Sequence, residues 1–472
     1  MVSVKFGTSG LRGLVTELVG LPTYSHVRAF CAVLQADRAA GPKGEVLIGR
    51  DLRSSSPLIA AQCAQAVAEA GLKPVDCGAV PTPALAQSAM AAGNPAIMVT
   101  GSHIPDDRNG LKFYRAQGEI DKTYEARILA QYQALALKAV PENSITPPSR
   151  DVLAAYCARY VDFYGCALQG LTVGVYQHSS VGRDVICDVL AALGATPVAL
   201  GRSDIFIPVD TEALRPEDEE LARRWARERE LDAIVSTDGD ADRPLVADET
   251  GRFLRGDLVG ALTAQFLGAD AIVTPVTSNS ALDRAGLFET VIRTRVGSPY
   301  VIAGMAEAKA AGAETVIGFE ANGGVLLGSD VRRDGRKLAA LPTRDALLPI
   351  LATLALARGT GKPLSAIAAD ARFAIALSNR LQEVPQDSTS ALIARLDAED
   401  SSFRDAVFAA HGAVASRDRR DGLRLTLGSG ATVHFRASGN APELRVYVEA
   451  PTAEAAEALL AENLAFAAAQ TR

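Results

Sequence analysis

The chain has 472 residues and a formal net charge of −7, from 48 basic and 55 acidic side chains. Hydrophobic residues at 48% and charged residues at 22% are typical of globular domains and exclude a wholly disordered or fibrous chain. The acidic balance lacks the basic footprint of a dedicated nucleic-acid binder, and no apolar run is long enough to span a membrane. We therefore expect neither nucleic acid nor a membrane as a partner.

The cysteines and the N-terminal residues bear on the cellular compartment. The six cysteines form no Cys-x-x-Cys pair and lie among apolar neighbours, which is typical of buried thiols in a reducing environment. The first residues lack the apolar core and the cleavage pattern of a signal peptide. Together these features predict a cytoplasmic protein.

Short apolar runs alternate with helical patterns over most of the chain. The spacing of apolar residues predicts one helix over 57–70, and the apolar segment 346–357 predicts a second, buried helix. The short runs predict buried strands over 46–48, 96–99, 171–176, 233–236, 271–275 and 315–317. Such alternation is typical of α/β units whose sheets are covered by helices.

The C-terminal part has a different pattern. Strands are predicted over 373–381, 423–427, 432–436 and 444–448, accompanied by helical stretches over 391–411 and 452–469. This is an α+β pattern, and it predicts a separate C-terminal domain. The candidate linkers are polar or Gly/Pro-containing segments at 141–150 and 359–363, with a further boundary near 251–256.

A segment rich in Gly, Pro and Asp, 100–112, follows the strand predicted over 96–99 and contains Ser102, His103 and Lys112. Loops at strand ends often build sites, and an exposed serine in an activating environment can act as a nucleophile. For a lone serine or histidine, however, a turn or helix-cap role is more common. A Ser-His-Asp triad is disfavoured, because adjacent side chains point apart in extended backbone and no Gly-x-Ser-x-Gly elbow is present.

Three alternating aspartates, Asp238, Asp240 and Asp242, follow the strand predicted over 233–236. Alternate positions of an extended segment project to one side, and three anions so close repel each other unless a cation lies among them. Oxygen ligands favour Mg²⁺ or Ca²⁺. An EF-hand is disfavoured because Arg243 stands where that loop needs Gly, which leaves a solvated acidic turn as the alternative to a metal site.

Two later segments combine glycine with hydrogen-bonding side chains. The segment 318–324 places Glu320 and Asn322 in a Gly-rich turn, which suits the neighbouring hydroxyls of a sugar but is also common in hairpins. The segment 436–445 suits a phosphate but is equally compatible with a turn between two strands. Its candidate ligands are Arg436, Ser438, Gly439 and Asn440.

Five segments, in this order along the chain, resemble the α-D-phosphohexomutase family. The motifs are Gly7-Thr-Ser-Gly-Leu-Arg-Gly13, Thr100-Gly-Ser-His103, Asp238-Gly-Asp-Ala-Asp-Arg243, the segment 318–324, and Arg436-Ala-Ser-Gly439. The resemblance implies three α/β domains and a C-terminal α+β domain around a central cleft. The expected domains are 1–148, 149–253, 254–366 and 367–472.

The same resemblance implies a role for each candidate residue. Ser102, with His103 beside it, would carry the phosphoryl group that passes to the sugar, and it would bind Mg²⁺ together with the three aspartates. Arg12 and Lys112 would assist the transfer as catalytic residues. The implied substrate ligands are Ser9, Arg243, Glu320, Asn322, Arg436, Ser438, Gly439 and Asn440. Gly324 stands where several members place a histidine, which leaves the general acid/base unassigned.

The activity implied is the interconversion of hexose 1-phosphate and hexose 6-phosphate through an enzyme phosphoserine and a hexose 1,6-bisphosphate, which is also the expected activator. Mannose is favoured because the sequence Glu-Ala-Asn-Gly-Gly at 320–324 is similar to a bacterial phosphomannomutase branch. A phosphoglucomutase, a phosphoglucosamine mutase and a catalytically silent phosphosugar-binding protein are the alternatives. The expected partner is a small phosphosugar, and the expected assembly is a monomer or a weak homodimer.

Overall fold

The architecture is a succession of four units, each built on its own sheet. A computed structural model describes residues 4–7, 10–141, 145–284, 286–399, 402–438 and 442–471. Three units are α/β and the last is α+β, as the sequence predicts. Each sheet falls within one of the four expected domains, and the exact limits of the domains stay predictions. The limit expected at 366 lies inside the helix Leu364–Asp370.

The first unit combines parallel and antiparallel strands. Its elements are β1 (Lys5–Phe6), β2 (Leu11–Leu14), α1 (Val15–Leu18), α2 (Leu21–Ala36), β3 (Glu45–Arg50), α3 (Ser56–Glu69), β4 (Lys73–Ala79), α4 (Thr82–Ala92), β5 (Ala96–Val99), β6 (Arg108–Arg115), β7 (Gly118–Glu119) and α5 (Lys122–Leu135). The sheet order is β1-β2-β6-β5-β3-β4, with β7 paired to β6 and with β5, β3 and β4 parallel. The strand β6 occupies part of the segment 100–112 that the sequence analysis treats as a loop.

The second unit is a four-stranded sheet with one antiparallel edge. Its elements are α6 (Leu153–Tyr164), β8 (Thr172–His178), α7 (Arg183–Ala192), β9 (Thr196–Arg202), α8 (Pro216–Glu228), β10 (Ala233–Thr237) and β11 (Pro244–Ala247). The order is β11-β10-β8-β9, and only β11 is antiparallel. The tight β10–β11 connection contains the three aspartates.

The third unit has a parallel half and an antiparallel half. Its elements are α9 (Gly256–Leu267), β12 (Ala271–Pro275), α10 (Ala281–Arg284), β13 (Thr290–Thr294), α11 (Ser298–Ala310), β14 (Val316–Phe319), β15 (Val325–Leu327), β16 (Val331–Arg333), β17 (Arg336–Leu338), β18 (Leu341–Asp345), α12 (Leu347–Thr360) and α13 (Leu364–Asp370). The sheet order is β13-β12-β14-β15-β18, and β16 and β17 form a separate hairpin. The apolar segment 346–357 is the buried helix α12, as predicted.

The fourth unit is an antiparallel sheet packed with helices. Its elements are β19 (Ile375–Gln382), α14 (Gln386–Asp397), α15 (Ser402–Phe408), a 3-10 turn (Ala409–His411), β20 (Val414–Asp418), β21 (Leu423–Leu427), β22 (Thr432–Ala437), β23 (Glu443–Ala450) and α16 (Ala453–Thr471). The sheet order is β19-β23-β22-β21-β20. The stretch predicted over 391–411 is helical but divided: α14 ends at Asp397, where Ala398 becomes extended, and α15 and the 3-10 turn follow.

Burial separates the fourth unit from the others. One core cluster runs through the first three units and includes Leu47, Tyr160, Val175 and Leu351. The fourth unit has a cluster of its own around β21, β22 and β23. No helix in the described part of the chain has the length and apolarity to cross a membrane. Cys166 is exposed, so the expectation that all the thiols are buried is wrong for this residue, which lies in the turn after α6.

Candidate active site

Loops from three units converge on the candidate site. The serine loop, residues 100–107, follows β5 in the first unit. The aspartate trio, Asp238, Asp240 and Asp242, joins β10 to β11 in the second unit. The sugar loop, residues 320–324, joins β14 to β15 in the third unit.

Ser102 lies at the centre of these contacts. Its side chain is buried, and its Oγ donates to Asp238 Oδ2 at 2.5 Å. Its φ of 57° is left-handed, a conformation that costs a non-glycine residue about 1–3 kcal/mol and that clusters at functional sites. Because the backbone is not extended here, Ser102 Oγ lies 3.3 Å from His103 Nδ1, which corrects the expectation that the two side chains point apart.

Arg53 holds the serine loop in this conformation, and the sequence analysis missed it. Its side chain is fully buried, pairs with Asp51 at 3.1 Å and lies 4.0 Å from the ring of Phe206 in the second unit. Its guanidinium donates to three loop carbonyls, those of Ser102, Ile104 and Pro105, and to the carbonyl of Arg108 at the start of β6. A Cβ at Gly101 would lie 2.7 Å from the guanidinium, so the loop needs glycine there. The one feature of the sequence that could have indicated Arg53 is the segment Asp51-Leu-Arg53, which directly follows β3.

The aspartate trio is fully buried and its chemistry fits a hard divalent cation. One carboxylate oxygen from each residue lies within 4.8 Å of the others, and this is the only such group found among the described residues. Asp240 Oδ1 and Asp242 Oδ1 accept no hydrogen bond from the described residues. Burial, followed by the charges of Asp240 and Asp242, raises the pKa of Asp238 well above its usual value. A bound cation would relieve this repulsion and use the free oxygens.

Lys112 reaches the trio from a strand rather than from a loop. The β5–β6 register pairs it with Met98, and its Nζ donates to Asp240 Oδ2 at 2.6 Å and to Asp242 Oδ2 at 2.5 Å. Burial disfavours the ammonium ion, but the two carboxylates outweigh burial and raise the pKa of Lys112. Lys112 is therefore charged at neutral pH.

Two arginines and a neutral histidine complete the reacting side of the site. Burial and the charges of Arg243 and Arg344 lower the pKa of Arg12 to about 10, which shows how closely these cations are gathered. Arg243 Nη1 donates to His103 Nδ1 at 2.9 Å. Burial, followed by Arg243 and Arg12, lowers the pKa of His103 well below its usual value. His103 is therefore neutral, and its Nδ1 lone pair accepts from Arg243.

The sugar loop is linked to the trio by Arg344, a second residue that the sequence analysis missed. Arg344 Nη2 lies 2.9 Å from Asp242 Oδ2, and its Nη1 lies 3.3 Å from Glu320 Oε2. Asn322 Oδ1 accepts from the N–H of Gly324 within the loop. A Cβ at Gly324 would lie 2.7 Å from Arg344 Cδ, so Arg344 occupies the space that a side chain at 324 would need. Nothing in the local sequence around Arg344 indicates these partners.

The predicted phosphate ligands lie in the fourth unit. Arg436 Nε donates to Asp421 Oδ2 at 2.8 Å, and the same oxygen accepts from the N–H of Val296 in the third unit. The N–H of Ser438 donates to the carbonyl of Glu443. The predicted ligands Ser9, Gly439 and Asn440 lie outside the described residues.

Comparison with known protein families assigns each unit to a domain family. Residues 3–138, 154–251 and 255–373 match the models for Phosphoglucomutase/phosphomannomutase, alpha/beta/alpha domains I, II and III. Residues 393–465 match the Phosphoglucomutase/phosphomannomutase C-terminal domain. The four matches occur in chain order and span most of the sequence.

Similar whole proteins are also known. A phosphomannomutase from Sinorhizobium fredii is 50% identical over 466 residues, which are 98% of this chain and 98% of that protein. A phosphomannomutase from Salmonella muenchen is 42% identical over 455 residues, covering 96% of this chain and 93% of its own length. The crystal structure of a phosphoglucomutase/phosphomannomutase family protein from Burkholderia thailandensis has a TM-score of 0.77 at 21% identity, covering 98% of this chain and 96% of that one. This last likeness shows a shared fold.

Proposed function

The chain belongs to the phosphoglucomutase/phosphomannomutase family, and we propose that it is a phosphomannomutase that interconverts mannose 1-phosphate and mannose 6-phosphate. The observation that carries this proposal is the Ser102 hydroxyl, which donates to the aspartate trio in a buried site that also holds Lys112. The two relatives that are named phosphomannomutase support mannose as the sugar.

The proposed reaction moves one phosphoryl group from the protein and recovers another. The O–P bond at phosphorylated Ser102 breaks as a bond forms to the hydroxyl oxygen of the sugar monophosphate; that hydroxyl loses its proton, and the departing Ser102 Oγ takes up a proton to become a hydroxyl again. The resulting hexose 1,6-bisphosphate turns over, and its other phosphoryl group returns to Ser102. Both transfers need the attacking oxygen, the phosphorus and the leaving oxygen in line, and they need cations that offset the negative charge of the phosphoryl group. Lys112, Arg12 and Arg243 would provide these cations.

We assign Mg²⁺ to the aspartate trio together with Ser102. The assignment is supported by the free carboxylate oxygens and by the mutual repulsion of the three anions. When bound, the ion offsets the charge of about −1.5 to −2 that phosphorylation adds to a serine. No other step of the proposal depends on its placement.

The remaining site residues divide between the two ends of the substrate. Glu320 and Asn322 would bind sugar hydroxyls, and Arg436 with Ser438 would bind the phosphate that is not reacting. Ser9, Gly439 and Asn440 are included on the family resemblance alone. A hexose 1,6-bisphosphate activator, a cytoplasmic location and a monomeric or weakly dimeric state are further parts of this proposal.

The test replaces the proposed phosphoryl carrier. Ser102→Ala removes the oxygen that is proposed to carry the group, so we expect mannose 1-phosphate turnover to fall at least about 100-fold. Turnover is measured with Mg²⁺ and a trace of hexose 1,6-bisphosphate, in parallel on mannose, glucose and glucosamine phosphates. Ser390→Ala, on an exposed position of α14, is the matched control and should retain full activity. A Ser102→Ala variant that keeps more than a few per cent of the activity would refute the proposal, and phosphate release by the native chain without isomer formation would indicate a hydrolase.

A further inference from the structure

Arg344 is a buried cation that contacts two different parts of the candidate site. It lies on β18, and its side chain is 3% exposed. One guanidinium nitrogen is 2.9 Å from Asp242 of the trio, and the other terminal nitrogen is 3.3 Å from Glu320 of the sugar loop. Among the described residues, no other side chain forms an ion pair with both of these loops. Arg344 therefore connects the proposed metal ligands to the proposed sugar ligands.

The strand that carries Arg344 is fixed by hydrogen bonds of the two flanking residues. The hydroxyl of Thr343 donates to Glu119 Oε1 at 3.1 Å, and the carboxylate of Asp345 accepts from Tyr156 at 2.7 Å. The aliphatic part of the Arg344 side chain fills the space that a Cβ at Gly324 would need. The backbone at Arg344 is thus held in place, and its side chain reaches the two loops from a fixed strand.

The two contacts of Arg344 have opposite consequences for binding. The contact with Glu320 holds that carboxylate in one orientation, which reduces the entropy that a sugar would have to remove on binding. The contact with Asp242 places a positive charge against the same oxygen that accepts from Lys112. Like charges at this separation repel strongly in a buried site, so the guanidinium opposes a divalent cation held by the trio.

We propose that Arg344 is a positioning residue that strengthens sugar binding through Glu320 and weakens metal binding through Asp242. The arginine thereby couples the two sites and keeps the metal exchangeable while the sugar loop stays ordered. The inference rests on the proposed function for the identity of the sugar phosphate. The effect on metal binding involves only Arg344 and the aspartate trio.

The test measures the two affinities separately. In Arg344→Gln the charge is lost and a hydrogen-bonding side chain is kept. We expect the Kd for Mg²⁺ in calorimetry of metal-free protein to fall at least about threefold, which corresponds to about 0.6 kcal/mol. We expect the KM for mannose 1-phosphate at saturating Mg²⁺ to rise at least about tenfold. Arg332→Gln, at an exposed position of β16, is the matched control and should change neither constant.

A second variant separates charge from geometry. Arg344→Lys keeps the positive charge but has a shorter side chain and one compact head group in place of the planar fork, so the two ion pairs cannot both keep their geometry. We expect a Kd for Mg²⁺ close to that of the native protein and a raised KM. This variant also keeps the proposal testable if Arg344→Gln fails to fold, as judged by its circular dichroism spectrum.

Three outcomes would overturn the proposal. A purely structural role of Arg344 would weaken both affinities in Arg344→Gln, and no role would leave both unchanged. If Arg344→Lys binds Mg²⁺ as tightly as Arg344→Gln does, the positive charge of Arg344 does not weaken metal binding. If the native protein turns over mannose phosphates and any of these three results is found, only the inference about Arg344 is refuted. If the native protein is inactive on mannose phosphates, the proposed function is refuted.

Discussion

His178, at the end of β8, shows how burial controls a single titratable group next to the site. Its side chain is fully buried, and its Nε2 lies 2.8 Å from the carbonyl of Thr237, the residue before the aspartate trio. Its Nδ1 has no hydrogen-bond partner among the described residues. Burial is the largest influence and lowers the pKa of His178 to about 4, so the imidazole is neutral in the folded protein.

The pKa of His178 predicts a loss of stability in mild acid. An unfolded histidine has a pKa of about 6.5, so between about pH 6.5 and pH 4 the unfolded chain binds a proton that the folded chain does not. The free energy of unfolding should therefore decrease as the pH falls through this window, by about 3 kcal/mol from this residue. Urea unfolding at several pH values measures the slope. In His178→Gln the slope should be smaller, and an identical slope in the variant would show that other groups account for it.

At the scale of secondary structure, the carboxylate of Asp345 joins two units and begins a helix. Its Oδ1 accepts from the hydroxyl of Tyr156 on α6 at 2.7 Å and from the N–H of Leu347 in the first turn of α12 at 2.9 Å. Its Oδ2 accepts from the hydroxyl of Tyr160, one turn further along α6. A buried carboxylate needs such partners because desolvation is costly. The two tyrosine bonds dock α6 of the second unit against the strand that carries Arg344, and the Leu347 bond caps α12.

Removing one of these hydroxyls should destabilise the protein, and α6 supplies its own control. Tyr160→Phe leaves Asp345 Oδ2 buried without that donor, so we expect the free energy of unfolding to fall by about 1–3 kcal/mol. Tyr164, one turn later, is also buried, but its hydroxyl has no hydrogen-bond partner in the described part of the chain. Tyr164→Phe should therefore cost much less. Equal losses in urea unfolding of the two variants would contradict a specific role for the Asp345 contact.

At the scale of the whole molecule, one hydrophobic cluster runs through three units, which also have clusters of their own, and the fourth unit has a separate cluster. The fourth unit is joined to the third by polar contacts. Glu449 of β23 accepts from the N–H of Ser280 at 3.1 Å and pairs with Arg424 at 3.3 Å, and the side chain of Asn279 donates to the carbonyl of Ala374. Polar interfaces of this kind open more readily than a continuous apolar core.

Weakening this polar interface should increase local opening without unfolding the chain. Glu449→Ala removes the acceptor of the Ser280 amide and leaves Arg424 without this buried partner, so we expect amide exchange over 276–284 to accelerate at least about tenfold. Hydrogen–deuterium exchange with mass spectrometry measures this rate. Glu457→Ala, an exposed glutamate on α16, is the control and should exchange like the native protein. Faster exchange spread evenly through all four units would indicate general destabilisation instead.

Much of the candidate site was predictable because its residues are close in sequence. The aspartate trio lies within five consecutive positions of one strand connection, so its mutual repulsion and the expectation of a cation follow from spacing alone. Ser102 was singled out because it follows a buried apolar strand, but its role came from the family resemblance. The roles of both remain proposals, but the structure places the Ser102 hydroxyl on Asp238, as a shared site requires.

The sequence by itself determined the alternation of strands and helices, the change from α/β to α+β, and the contiguous motifs, because these depend on local periodicity and on neighbouring residues. It missed Arg53 and Arg344, placed Lys112 in a loop, and oriented Ser102 and His103 wrongly. Only the tertiary structure decided these features. Each depends on which strands lie side by side, and that is set by the packing of buried side chains that are distant in sequence.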